Sequence, residues 1–294
     1  MSVSAVPKID AHQHFWRYSP DNYRWINDQM AVLKQDLLPA NLAPQLAVQG
    51  IQGSVLVQAC SRFDETRWLL NLAEENDFVK AVVGWVDIAG SALVSQLALL
   101  QQQPLLRGVR HQVQDEASPT DWLDNSAVNR GVEQVQRQGY VYEMLVNHQH
   151  LDALVTFAGR HDRHHLVLDH FGKPNLNQSV AHWVKRVKPL AAMPHVSCKL
   201  SGLLTEPRPR GFAPNDLLPW FDAALALFGS QRLMFGSDWP VCLLAGDYGD
   251  GKSLCLQATA ALSPTERDAI FGGNACKIYA LHSDLTGVSH ESAS

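Results

Sequence analysis

No stretch of this chain is long and apolar enough to cross a membrane. Residues 1–8 hold no apolar run of the kind that makes a secretory leader, so the expected setting is the cytoplasm. Cysteine is sparse: Cys60, Cys198, Cys242, Cys255 and Cys276 are odd in number, and no two form a CxxC pair. That pattern argues against a disulfide scaffold or a structural zinc site and for reduced, mostly buried thiols. Positive charge is short as well, with 24 Lys and Arg against 29 Asp and Glu and a pI of about 6.2. No sustained basic stripe with interleaved aromatics is present, which argues against nucleic acid as a partner. The local cluster from Arg160 to His165 reads as a solvent-facing loop between a helix and a strand. A glycine-rich phosphate loop after the first strand candidate is missing too, which weakens a doubly wound nucleotide-binding sheet.

What is present is alternation. Apolar residues make up 46% of the 294 positions, enough for one large core or two smaller ones. Strand candidates fall at residues 8–14, 51–58, 79–86, 106–111, 140–146, 166–170, 196–200 and 233–238. Their near-continuous apolar character suits strands covered by helices. Between them run helical stripes: Val128, Val132 and Val135; Leu151, Leu154, Val155 and Ala158; Leu217, Phe221, Leu225 and Phe228. Ser263, Pro264 and Glu266 spell a helix start with a capping box, and Gly272-Gly273 argues for a break before 274–279. The expected fold is α/β, a (β/α)8 TIM barrel with some distortion. We read residues 1–294 as a single domain with long βα loops and a short, disordered tail from Ser292. The long excursions at 16–39, 201–214 and 238–254 all follow strand C-termini, where barrel enzymes build their sites.

His12 and His14 stand two apart on the first strand candidate and so point the same way, inward in a barrel. Imidazoles suit zinc and related divalent ions, with further ligands drawn from distant strands. The competing reading makes one a core hydrogen-bonding residue and the other a loop residue. His170 ends the sixth candidate and Asp238 the eighth. A carboxylate buried at an apolar strand end needs a partner, hydrogen bonds or a metal. For Asp238 the alternative is a structural cap on backbone N–H groups, and for His170 a satisfied core position.

The segments Ile9 to Trp16, Gly108 to His111, Leu168 to Pro174, Lys199 to Gly202 and Phe235 to Pro240 together resemble the amidohydrolase superfamily. The ordered set is most similar to its lactonase branch of sugar and aromatic-acid catabolism, notably hydrolases of L-fuconolactone or L-rhamnonolactone. The similarity spans residues 9–279. It implies His12 and His14 as the first-strand pair, His170 as the sixth-strand histidine and Asp238 as the eighth-strand aspartate. It implies one divalent ion, zinc, held by His12, His14 and Asp238, or metal-independent catalysis on the same residues. No lysine ends the fourth strand and no histidine lies in the fifth, where Glu143 and Met144 stand, so a carboxylated-lysine two-metal centre is not expected.

On this reading Asp238 takes a proton from water, the water attacks a neutral sugar lactone, and His12 and His14 stabilise the carbonyl oxygen directly or through the ion. His170 orients the water or the carbonyl. Arg110 and His111 are candidates for substrate hydroxyls or the carbonyl, with a salt bridge as the other account of Arg110. Lys199 contacts substrate or pairs with Glu143 or Asp169. Glu143 enters as its partner at the site. Trp16, Trp25, Trp122 and Trp239 offer flat walls for a sugar ring, or else pack the loops onto the rim. Gln13, Gln58 and Gln112 fit a hydroxyl-rich ligand. The rival functions are a metal-dependent decarboxylase or amidase on the same barrel, and a carbohydrate-binding protein without turnover.

Overall fold

The computed structural model describes residues 6–281, so the tail expected from Ser292 lies outside the described residues. Eight parallel strands follow one another around a single sheet in chain order. They are β1 (Ile9–Gln13), β2 (Gly53–Val57), β3 (Val79–Gly84), β4 (Leu106–Gln112), β5 (Val141–Leu145), β6 (Leu166–Leu168), β7 (Val196–Leu200) and β8 (Leu233–Phe235). All eight expected strands are present, each with a helix after it, as a distorted (β/α)8 barrel requires.

Closure between β1 and β8 is made past the end of β8. Asp238 N–H donates to the His12 carbonyl (2.9 Å) and His14 N–H to the Trp239 carbonyl (2.7 Å). The buried Asp10 side chain fastens this seam, accepting from Ser237 N–H (2.9 Å), Ser237 Oγ (2.6 Å), Tyr248 OH (2.9 Å) and His12 N–H (3.1 Å). Removing the carboxylate leaves buried donors with no acceptor. We therefore expect Asp10→Ala to lower stability by about 3 kcal/mol, read as a shift of the urea midpoint at unchanged slope.

The barrel interior begins as an apolar plug. Ile9, Ala11, Val55, Val57, Ala81, Val83, Val141, Val167 and Met234 pack together with Ala275, Ile278 and Tyr279 of the last helical segment. The outer layer packs the helices onto the sheet. The expected stripes hold: Val128, Val132 and Val135 are buried, as are Leu151, Leu154 and Ala158, while Val155 is half-buried. The Ser263–Glu266 capping box forms. The expected break at Gly272-Gly273 is present: Gly272 is non-helical (φ 175°, ψ −43°) and kinks the π-type turn Ala269–Gly273 that leads into the helix Asn274–Ile278. The excursion at 238–254 is less irregular than expected. It holds a helix, Tyr248–Ala258, capped by Asp247 on Gly249 N–H, a start signal obscured by the glycines around it.

No helix among the described residues is long and apolar enough to cross a membrane, and all five cysteines are free thiols.

Candidate active site

Strict alternation from Ile9 and Ala11 would turn His12 away from the interior. The β1–β2 register shifts between Asp10 and Gln13, and at this end of the strand His12 and His14 reach one point beside Arg110 and Asp238. Their Nε2 atoms lie 3.1 Å apart. Asp238 and His170 reach the same point from turns whose backbones are left-handed (φ 57° and 51°). Gly202 is needed beside them, because a Cβ there would sit 2.6 Å from His170 Nδ1.

Asp238 Oδ1 is the focus. It lies 3.4 Å from His14 Nε2, 3.7 Å from His12 Nε2 and 3.8 Å from His170 Nε2. Burial alone would raise the pKa of this carboxyl, but His170 and His14 beside it outweigh that and hold it below the ordinary range. Burial drives the other way on the imidazoles, taking His170 down to about 4 and His12 well below its usual value, with Lys199 adding to the latter. At neutral pH the site therefore presents an ionised Asp238 beside neutral His12 and His170.

Tautomers follow from the partners. The Val57 carbonyl can only accept, so His14 carries a proton on Nδ1 (2.7 Å), which in the neutral ring leaves Nε2 as the atom able to ligate. For His12, Lys199 donates to Nδ1 (3.1 Å) when the proton is on Nε2; a proton on Nδ1 instead faces Asp169 Oδ1 at 3.5 Å. In the second arrangement both Nε2 atoms are acceptors, with Arg110 Nη1 3.3 Å from that of His12. With Asp238 Oδ1 they make a compact nitrogen–nitrogen–oxygen donor set that fits a divalent ion. His12, Asp169 and His170 form a second such group, but Asp169 Oδ2 is already taken by Arg110.

Below the histidines lies a fully buried ionic floor. Lys199 Nζ donates to Glu143 Oε1 (2.6 Å) and stands 3.4 Å from Asp169 Oδ1, while Tyr279 OH donates to the same Glu143 oxygen (2.5 Å). Arg110 donates to Asp169 Oδ2 (3.0 Å) and to the Gln58 carbonyl. Burial, reinforced by Asp169, pushes Glu143 up to about 7, whereas Lys199 and His12 overcome burial at Asp169 and hold it well below the carboxylate range.

A cavity opens above this floor. Its lining includes His14, Trp25, Arg110, Gln112, His170 and Asp238 from the expected set. The remaining candidates stand outside the lining. Lys199 and Glu143 are buried beneath it, paired with each other as one of the two expected readings had it. His111 points to the opposite face of β4 from Arg110, where it stacks on Trp122 (4.5 Å) and binds Glu116 (2.7 Å). Trp16 is wholly buried, its indole N–H shared between the Leu33 and Gln35 carbonyls (3.2 and 3.0 Å). Trp239 is buried against Phe15. Trp16, Trp239 and His111 thus pack the loops onto the rim and are not among the residues lining the cavity. Gln13 binds Ser54, and Gln58 serves Arg110. Sequence reasoning gave no site role to Gln114, Lys173, Thr205 and Glu206, all of which line the cavity.

The barrel, and the cluster of histidines and an aspartate at the C-terminal ends of its strands, define a class. Residues 9–281 match the amidohydrolase family model, and the chain belongs to the amidohydrolase family. It is 46% identical over 285 residues to an L-fucono-1,5-lactonase of Burkholderia multivorans, covering 93% of this chain and 96% of that protein. An L-fucono-1,5-lactonase of Burkholderia ambifaria is 39% identical over 280 residues, covering 92% and 95%. A crystal structure of a Burkholderia multivorans amidohydrolase with bound zinc superimposes with a TM-score of 0.90 at 45% identity, over 94% of this chain and all of that one (100%).

Proposed function

We propose that this protein hydrolyses a deoxy-sugar aldono-1,5-lactone, L-fucono-1,5-lactone or a close relative, to the open aldonic acid. The observation that carries the reading is Asp238, a buried carboxylate held ionised and ringed by three histidines, in a chain that aligns along nearly its whole length with two L-fucono-1,5-lactonases. Ring opening needs a base for water, charge stabilisation at the carbonyl oxygen and an acid for the departing ring oxygen.

Asp238 supplies the first and the last. Its three histidine contacts fall on Oδ1, which leaves Oδ2 to accept the proton of the attacking water and to return it to the ring oxygen. His170, fixed through Nδ1 on Ser201 Oγ (2.8 Å), orients the water. Arg110 lines the same cavity, and its charge favours the negative charge that develops on the carbonyl oxygen. His12, His14 and Asp238 would hold one divalent ion, zinc, which when bound supplies further positive charge at the carbonyl. We read the chain as one domain acting in the cytoplasm, where its five free thiols are stable.

The direct test is product analysis in ¹⁸O-water. Acyl attack places one ¹⁸O in the carboxylate of the aldonic acid, whereas label at the ring carbon bearing the leaving oxygen, or release of carbon dioxide, contradicts the mechanism. A pH profile adds a second check. Asp238 works as a base only when ionised, and its pKa lies below 3.8, so activity should persist as pH falls from 8 to about 5 and decline only near 4, where His170 also protonates. An acid limb centred between 6 and 7 would assign the base to a histidine instead.

A further inference from the structure

We propose that Lys173, Gln114 and Glu206 form a hydroxyl-reading subsite that selects which lactone ring the enzyme accepts; this rests on the lactonase reading above. The three side chains come from three separate turns, after β4, β6 and β7, and converge on the same cavity as Asp238 and His170. Lys173 Nζ donates to Gln114 Oε1 (3.0 Å) and stands 3.7 Å from Glu206 Oε1. The latter distance is an ion pair but exceeds a hydrogen bond. The ammonium has three donors and spends one on Gln114. No described residue donates a hydrogen bond of 3.5 Å or less to the Glu206 carboxylate, although its side chain is only 14% exposed.

An unspent donor and an unspent acceptor, side by side at a cavity, match a hydroxyl group, which donates a hydrogen bond to the carboxylate and accepts one from the ammonium. Two adjacent ring hydroxyls would occupy both at once. The lining also holds apolar side chains, Trp25, Leu145 and Val241, which suit the C–H face or methyl group of a deoxy sugar. Burial raises the pKa of Glu206 although the Lys173 charge beside it acts to lower it. The pair is therefore a selector and not part of the bond-breaking machinery.

The test compares wild type, Glu206→Gln and Lys173→Met on two substrates, L-fucono-1,5-lactone and the unsubstituted six-membered δ-valerolactone. One lost charged hydrogen bond should lower kcat/KM on the hydroxylated lactone by about 10- to 100-fold, mostly through KM. Turnover of δ-valerolactone should change less than about 3-fold, since it has no hydroxyl to read. The ratio between substrates is the readout, because Lys173 also lies near Asp238 and its loss can touch both reactions equally. Equal losses on both lactones, or none on either, overturn the subsite while leaving the lactonase reading intact. A wild type that opens neither lactone overturns both.

Discussion

Asp238→Asn should lower kcat by about 10³-fold while the protein keeps its fold and melting temperature. General acid–base catalysis is worth roughly 10²- to 10⁴-fold, and here one carboxylate serves both proton transfers. The amide has the same shape and cannot take a proton from water. The fold should tolerate the change, because the seam between β1 and β8 rests on the backbone of Asp238 and on the side chain of Asp10, not on the Asp238 carboxylate. The variant should still bind lactone. Near-full activity in a folded Asp238→Asn protein would reduce Asp238 to a structural cap.

Lys199→Met has the largest expected effect on stability. Lys199 is wholly buried and sets its single positive charge between Glu143 and Asp169. Arg110 pairs with Asp169 (3.0 Å) and not with Glu143, so removing Lys199 leaves Glu143 buried without its cation. Breaking such a pair costs about 3–5 kcal/mol. Pairing the change with Glu143→Gln should recover a large part of that loss, because the neutral amide no longer needs the ammonium. The pair of variants and their combination, measured by urea denaturation, form a cycle whose coupling should be at least about 1 kcal/mol. Simple additivity would show that the Lys199–Glu143 contact carries no stability of its own.

Much of this was legible in the residues. Near-continuous apolar runs located every strand, because strands covered on both faces must be apolar throughout. His12, His14, His170 and Asp238 stood out because polar groups at the ends of such runs need a reason. Strand parity also separates Arg110 from His111, since neighbours on β4 point to opposite faces and only one can enter the barrel. Other features were not readable. Trp16 looked like a loop aromatic, yet its backbone pairs with Leu37 and folds the excursion back on itself. Lys173 and Glu206 sit in turns with no periodicity, and only the folded barrel brings them within 3.7 Å.

The central claim is lactone hydrolysis at the Asp238 cluster. The most direct measurement is proton release at constant pH from L-fucono-1,5-lactone and its stereoisomers. Purified wild type and Asp238→Asn would be assayed with added zinc and with chelator, and spontaneous opening subtracted. The account expects rapid turnover of at least one deoxy-sugar 1,5-lactone by wild type and almost none by the variant. Folded wild-type protein that opens no lactone under either metal condition would contradict it.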